Sequence, residues 1–179
     1  MTVSNVVLIF TLTCTALMAG LFYSYSCSVV PGLKLLPDAE YIASMQSINR
    51  AIQNPVFFIC FIGTPLLLPI STYLNFFQPL TLRFWLLLIS TILYLTGVFG
   101  VTVFGNIPLN NDLEKFKLIN ASSDTISLQR KIFEGRWNDL NVIRTLSSIL
   151  SLILIIIACI NSALICNRFH FSFKNIFIR

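Results

Sequence analysis

The sequence predicts an all-α protein in which four helices cross a lipid bilayer as one bundle. Apolar residues make up 56% of the chain and charged residues only 11%, whereas soluble domains have about 25% charged residues. The apolar residues also form long runs without a polar face. A helix needs about 20 such residues to cross a hydrocarbon core of about 30 Å.

Four runs meet this length, at residues 3–30, 55–77, 80–104 and 142–165. The first has no Lys or Arg before it and exceeds the apolar length of a signal peptide, so we interpret it as a retained span. A membrane β-barrel would instead show segments of about ten residues that alternate apolar and polar side chains. The runs therefore favour helices.

Two longer connections, 31–54 and 105–141, are predicted to carry additional amphipathic helices, while spans two and three form a hairpin around Gln78 and Pro79. In the first connection, Pro31 and Gly32 are predicted to end a helix, and apolar residues then recur at helical spacing over 38–53. That helix lies either at the membrane interface or against the bundle. The second connection predicts a turn at 120–124 and a short surface helix that includes Leu128, Ile132 and Phe133.

The chain contains no polar linker and no repeat, so we expect one integral membrane domain over residues 1–179. Four spans place both termini on one side. The basic tail, residues 167–179, favours termini in the cytoplasm, although the long connections carry more Lys and Arg in total. We expect a multi-pass protein of the cell (inner) membrane with cytoplasmic termini.

Several kinds of chemistry are excluded by ligand count. The single histidine, His170, cannot supply a histidine-ligated haem, a di-iron bundle or an H-E-x-x-H zinc site. The five cysteines form no CxxC pair, and no glycine-rich phosphate loop occurs. We therefore expect no cofactor. The net charge of +5 is modest and concentrated beside the membrane, so nucleic acid is not an expected partner.

Polar residues are predicted to converge at one end of the bundle. The fourth helix presents Trp137, Asn141, Arg144 and Ser148 on one face. Among these, Arg144 is either a membrane anchor or part of a polar site. Asn106 and Asn110 close the third span, and Gln46 and Asn49 share a face in the first connection. Solvation of that face is the alternative interpretation. Both groups emerge on the same side, which predicts a common mouth formed by Trp137, Asn141, Arg144, Ser148, Asn106, Asn110, Gln46 and Asn49.

The first span carries a ridge of small residues at intervals of four, namely Ala16, Gly20, Ser24 and Ser28. Such a ridge favours close helix packing. Alternatively, its serines line a pocket together with Tyr23 and Tyr25. In the second span, Pro65 and Pro69 predict a kink, and kinks can open a cavity.

Four sequence elements together resemble a known family of small membrane proteins, the anthrone-oxygenase-like family, long catalogued as a domain of unknown function. The likeness extends from about Ala16 to Ser151. The elements are Gly20-Leu21-Phe22 to Pro31-Gly32-Leu33, Met45-Gln46-Ser47-Ile48-Asn49, Ile107-Pro108-Leu109-Asn110, and Trp137-Asn138-Asp139-Leu140-Asn141 through Arg144-Thr145.

The resemblance implies a four-span bundle and an activity. Fungal members are associated with oxidising anthrones to anthraquinones with molecular oxygen, without a metal or flavin, whereas many bacterial members have no established role. The chain would then be a cofactor-independent oxidoreductase, a monooxygenase, whose partner is a hydrophobic aromatic small molecule.

On this reading Arg144 stabilises the oxyanion of the substrate, Asn110 and Asn141 donate hydrogen bonds, and Trp137 forms a stacking wall. Glu134, Asp139 or Tyr23 would serve as base, and the sequence does not choose among them. The substrate-binding residues would be Gln46, Asn49, Asn106, Tyr23 and Ser148.

A second class of function remains open at this point. The same mouth suits a non-catalytic binder of a quinone-like or lipid ligand. The small-residue ridge suits an accessory subunit that docks on a larger membrane protein, or a homo-oligomer. Transport is a weaker possibility, because no acidic residue lies in the middle of a predicted span.

Overall fold

A computed structural model describes the backbone of residues 2–77 and 79–176 and the side chains of residues 2–77 and 79–161. The described residues form five helices and no strand. Four of the helices are long and apolar enough to cross a membrane, which confirms the predicted fold class. The helices are α1 (Val3–Lys34), α2 (Asp38–Ala51), α3 (Pro55–Tyr73), α4 (Leu82–Lys115) and α5 (Ser123–Ile176).

Short polar side chains begin three of the spanning helices. The Oδ1 atom of Asn54 accepts from the backbone N–H of Phe57 at 3.1 Å, and Pro55 occupies the first helical position. Thr2 and Thr81 cap α1 and α4 in the same way. These contacts satisfy backbone donors that the first helical turn leaves without partners.

The four spanning helices form a ring in which α1 packs on α3 and α5, and α4 packs on the same two helices. At one end, Nδ2 of Asn75, just after α3, donates to Oγ of Ser4 at 3.1 Å. That end therefore carries the start of α1 and the link between α3 and α4. The opposite end carries α2, the ends of α1 and α4, and the start of α5.

Small polar residues join the helices inside the bundle. Ser90 and Ser151 each donate to the other's backbone carbonyl, at 3.1 and 2.7 Å. Thr72 and Thr91 share a hydrogen bond of 2.9 Å between α3 and α4. A methyl group added to Gly97 would overlap the Ser147 side chain, so α4 and α5 approach closely. This close contact and these paired hydroxyls are the usual means by which helices associate in lipid.

Three helices run further than the sequence predicted. The helix α1 continues past Pro31 to Lys34, and α4 continues past Pro108 to Lys115. The helix α5 begins at Ser123, inside the predicted turn. Leu128, Ile132 and Phe133 therefore lie in α5 and not in a separate helix. Each proline lies two residues after the end of a π-helical segment, Tyr25–Val29 or Thr102–Asn106. The wider turn of a π segment accommodates a residue that has no N–H to donate, so the helix does not end.

The helix α2 folds against the bundle, which decides between the two predicted placements. Its Tyr41, Ile42 and Met45 pack against Leu113 of α4 and Phe133 of α5. Burial, reinforced by the nearby Glu134 carboxylate, raises the pKa of the Tyr41 phenol, and Arg130 opposes this only in part. Tyr41 is therefore a neutral packing residue at physiological pH.

Arg130 of α5 holds the start of α2 in place. Its guanidinium bonds the carboxylates of Asp38 at 2.9 Å and Glu134 at 2.7 Å. It also donates to the backbone carbonyls of Lys34 and Leu36, at 3.1 and 2.7 Å. Its side chain is only 12% exposed. One cation that is largely shielded from solvent thus connects the end of α1, the link that follows it, and α5.

The small-residue ridge of α1 does not contribute to packing within the described chain. All four residues of the ridge are exposed, and no atom lies within 4 Å of a methyl group placed on Gly20. The opposite face of α1 packs instead, through Thr11, Thr15, Met18 and Phe22. Gln78 and the side chains of the basic tail lie outside the described residues, so the orientation in the membrane stays a prediction.

Candidate functional site

A cavity of about 190 Å³ lies at the α2 end of the bundle. All five helices contribute to its wall. The lining residues are Leu21, Phe22, Tyr25, Asn49, Ile52, Gln53, Phe57, Phe58, Phe61, Thr102, Asn106, Ile107, Asn110, Asn111, Trp137 and Arg144.

The cavity lies near the boundary of the bilayer, according to helix length. A hydrocarbon core of about 30 Å takes about 20 helical residues. Counted from its start at Val3, α1 therefore reaches the far boundary near Phe22, and α4, counted from Leu82, reaches it near Thr102. Both residues line the cavity.

Aromatic side chains form much of the cavity wall. Phe57 and Phe61 of α3 stack with ring centres 5.1 Å apart and an angle of 14° between the rings. The ring centre of Tyr25 on α1 lies 5.8 Å from that of Trp137 on α5. The volume exceeds the roughly 150 Å³ that suffices for benzene in an apolar protein cavity. The wall therefore suits a flat ligand with more than one ring.

Arg144 is the only charged residue among the described residues that line the cavity. It is 6% exposed, and its guanidinium lies 4.7 Å from the ring centre of Phe22 and 5.2 Å from that of Trp137. Among the described side chains, none of the ion pairs within 4.0 Å includes Arg144. Its Nε atom is buried without a hydrogen-bond partner. Aromatic faces compensate a buried cation only in part, so the site favours an anionic ligand.

Asn141 holds Arg144 in position. Its Oδ1 accepts from Nη2 of Arg144 at 2.8 Å, and its Nδ2 donates to Oγ of Ser26 at 2.9 Å. Ser26 in turn shares a hydrogen bond of 2.9 Å with Thr145. Asn141 itself does not line the cavity, and its side chain is bonded on both sides. It is therefore placed to orient the guanidinium and not to contact a ligand.

Five amide side chains line the cavity, and three of them, Asn49, Asn106 and Asn110, belong to the predicted site. Asn110 accepts from Nε1 of Trp137 at 2.9 Å, which fixes the indole. Asn106 is 1% exposed, and neither atom of its amide has a hydrogen-bond partner. Asn49 is 8% exposed, and its Nδ2 has no partner. Unpaired buried amides are costly and rare, so these two point to an external partner.

Two π-helical segments border the cavity, and each begins or ends with a lining residue. Tyr25 begins the segment Tyr25–Val29, and Asn106 ends the segment Thr102–Asn106. Single-turn π segments within α-helices often mark functional sites, because the extra residue changes the direction of the side chains.

The cavity opens between α3 and α4. Phe58 and Ile107 line it and are 43% and 40% exposed. The exposed polar residues Gln53 and Asn111 complete this edge. The entrance therefore has an apolar part and an amide part at the level of the bilayer boundary.

The structure brings together five of the nine predicted site residues and leaves four outside the lining. Arg144, Trp137, Asn110, Asn106 and Asn49 line the cavity. Asn141 is described above. The other three are Gln46, which donates to the carbonyls of Leu113 and Phe116 at 2.8 and 2.9 Å, Ser148, which bonds the carbonyl of Thr145, and Tyr23, which is 56% exposed.

None of the three predicted bases lines the cavity. Glu134 is bonded to Arg130, Asp139 is exposed, and Tyr23 faces outward. Among the residues with described side chains, no group of three His, Cys, Asp or Glu residues could hold a metal ion.

The prediction named Tyr25 only in the alternative pocket of the first-span serines and missed the phenylalanines as lining residues, although the sequence contained a signal for both. The buried face of α1 recurs at Met18 and Phe22, so the next positions, three and four residues later, include Tyr25. Phe57, Phe58 and Phe61 lie in the first two turns of α3 at similar spacing. Their apolar character concealed them among lipid-facing residues.

Comparison with known families gives one result. The sequence profile described as anthrone oxygenase matches residues 57–154, which is more than half of the chain. The chain belongs to the anthrone oxygenase family. Of the five predicted residues that line the cavity, all but Asn49 fall within the matched part. This membership confirms the family resemblance seen in the sequence. Comparisons with curated proteins and with solved structures find no match.

Proposed function

We propose that the cavity binds a planar phenolic or anthrone-type molecule as its anion and that molecular oxygen oxidises the bound anion. The observation that carries this proposal is Arg144, a buried cation without a carboxylate partner among the described residues, enclosed by aromatic rings. Membership of the anthrone oxygenase family supports it.

The reaction converts the central methylene of an anthrone to a carbonyl. The methylene loses one proton, and the resulting carbanion is delocalised as an enolate oxyanion. This anion passes an electron to O2, and the two radicals combine into a peroxide anion at the same carbon. The peroxide anion takes a proton from water, and the hydroperoxide then loses water to leave the ketone. One oxygen atom of O2 enters the product, and the other leaves as water.

The protein's contribution is electrostatic and steric. The guanidinium of Arg144 stabilises the oxyanion, because its charge is held in place by Asn141 before the ligand arrives. Trp137, fixed by Asn110, and the ring of Phe22 enclose the aromatic system and exclude water. Because no carboxylate is among the described lining residues, water at the open entrance accepts the proton as Arg144 favours the anion.

Replacing Arg144 tests this proposal. In purified protein given an anthrone and oxygen, Arg144→Met is expected to lower oxygen uptake per protein at least about 100-fold, the usual effect of removing one oxyanion donor. Arg136→Met is the matched control, because Arg136 is an exposed arginine on the same helix. Unchanged turnover in a folded Arg144→Met protein would contradict the proposal.

A second candidate is a non-catalytic binder of a quinone-like ligand, and the absence of a carboxylate from the described lining residues favours it. The same measurements separate the two functions. Binding of the anthrone that depends on Arg144, without oxygen uptake above the rate in protein-free micelles, would identify a binder.

A further inference from the structure

The amides of Asn106 and Asn49 are not explained by the fold. Both residues are buried and line the cavity, and three of their polar side-chain atoms have no hydrogen-bond partner. Thr102, one turn before Asn106, also lines the cavity, but its hydroxyl donates to the carbonyl of Val98 at 2.7 Å. The neighbouring polar group is thus satisfied within the protein, whereas the amides are not.

Helix directions bring Asn106 and Arg144 towards the same part of the cavity. A methyl group on Gly105 would lie 2.9 Å from Cδ1 of Leu140, so this part of α4 lies beside α5 one turn before Arg144. Helical side chains lean towards the N-terminus of their own helix. Because α4 and α5 are antiparallel, Asn106 and Arg144 lean towards each other.

We propose that Asn106, assisted by Asn49, forms a second polar subsite that recognises a hydroxyl group on the ligand, separate from the oxyanion at Arg144. This inference rests on the proposed function, since it concerns the same cavity. A hydroxyl group donates one hydrogen bond and accepts others. It therefore satisfies Oδ1 and Nδ2 of Asn106, and a further acceptor on the ligand satisfies Nδ2 of Asn49.

The consequence is selectivity for hydroxylated rings over unsubstituted ones. A site built to bond a hydroxyl discriminates strongly against an analogue that lacks it, because the analogue leaves buried polar groups unpaired. The ligand class is thus a planar ring system that carries at least two oxygen substituents, one of them anionic when bound.

The test compares two probes, anthrone and 2-hydroxyanthrone, whose hydroxyl cannot bond the ligand's own oxyanion, and their dissociation constants are measured without oxygen so that no turnover occurs. The wild-type protein is expected to prefer the hydroxylated probe by about tenfold or more. Asn106→Leu is expected to reduce that preference to less than about twofold, mainly by weakening 2-hydroxyanthrone binding. Thr102→Val is the matched control and is expected to keep the wild-type preference, because its hydroxyl is already bonded within α4.

The outcomes distinguish this inference from the proposed function. If both probes bind and Arg144→Met abolishes their binding, but Asn106→Leu keeps the full preference, the subsite is contradicted while the proposed function stands. If the wild-type protein binds neither probe, both fail. Should Asn106→Leu not fold, Asn106→Ala and Asn49→Leu provide the same comparison, and an undiminished preference in both contradicts the inference.

Discussion

The two ends of the bundle differ in how their buried polar groups are hydrogen-bonded. Towards the start of α1, hydroxyl groups are paired across helix contacts, as in Thr11 with Ser71 at 2.7 Å and in the reciprocal bonds of Ser90 and Ser151 to each other's carbonyls. Towards α2, the side chains of Arg144, Asn106 and Asn49 keep buried atoms without partners. Lipid offers no hydrogen bonds, so pairing within the protein is the rule in a membrane. The ligand site that we propose lies at the second of these ends.

The largest expected effect concerns the attachment of α2, which contributes Asn49 to the cavity. Arg130→Met removes the cation that joins Asp38, Glu134 and two backbone carbonyls. These four acceptors then lose their hydrogen bonds to the guanidinium. We expect a loss of about 3 kcal/mol in the free energy of unfolding. We also expect faster amide hydrogen exchange in α2, with no change around Ser90 and Ser151.

Arg50→Gln is the control for this prediction. Arg50 pairs with Glu114 at 2.7 Å and also joins α2 to α4, but both side chains are largely exposed. Its loss is expected to change stability by less than about 0.5 kcal/mol. Equal effects of the two variants, or exchange that rises equally at both ends of the bundle, would show that the two ends are not independent.

The next effect belongs to the close contact between α4 and α5 inside the bundle. Gly97→Ala is expected to lower the free energy of unfolding by about 2 kcal/mol, because the new methyl group overlaps Ser147. Gly135→Ala, on an open face of α5, is expected to raise it by about 0.5 kcal/mol through helix propensity. Unfolding in detergent micelles by SDS titration measures both. A Gly97→Ala protein as stable as the wild type would mean that α4 and α5 can move apart at little cost in free energy.

Much of the fold was predictable from the sequence, because crossing a bilayer imposes a length and an apolar composition that no tertiary contact overrides. The ends of the helices were less predictable. Pro31 and Pro108 are usual signals of a helix end, yet both follow π segments and remain within α1 and α4. Whether a chain forms a π turn depends on neighbouring helices, which a single sequence does not contain.

The candidate site was predictable in part, for a related reason. Helical spacing placed Trp137 and Arg144 on one face, and the topology placed Asn49, Asn106 and Asn110 at the same end. Spacing cannot show which amide is already bonded. Asn141 and Gln46 have partners across helix contacts, at Ser26 and at the end of α4, and these contacts exist only in the folded chain.

The smallest expected effect has opposite signs at the two ends. Ser151→Ala removes one partner of the reciprocal pair with Ser90, so we expect a loss of about 1 kcal/mol. Asn106→Leu replaces an unpaired buried amide by an apolar side chain, so we expect a gain of about 1 kcal/mol in the ligand-free protein. Both are measured by SDS titration in micelles.

Addition of a hydroxylated anthrone sharpens this last prediction. A ligand that binds only the folded protein stabilises it in proportion to its affinity, so wild type and Ser151→Ala should gain more stability than Asn106→Leu. The advantage of Asn106→Leu would then shrink or reverse. If Asn106→Leu instead loses stability without ligand, Asn106 is satisfied within the folded protein, and the contrast between a packed end and a ligand-binding end would not hold at that position.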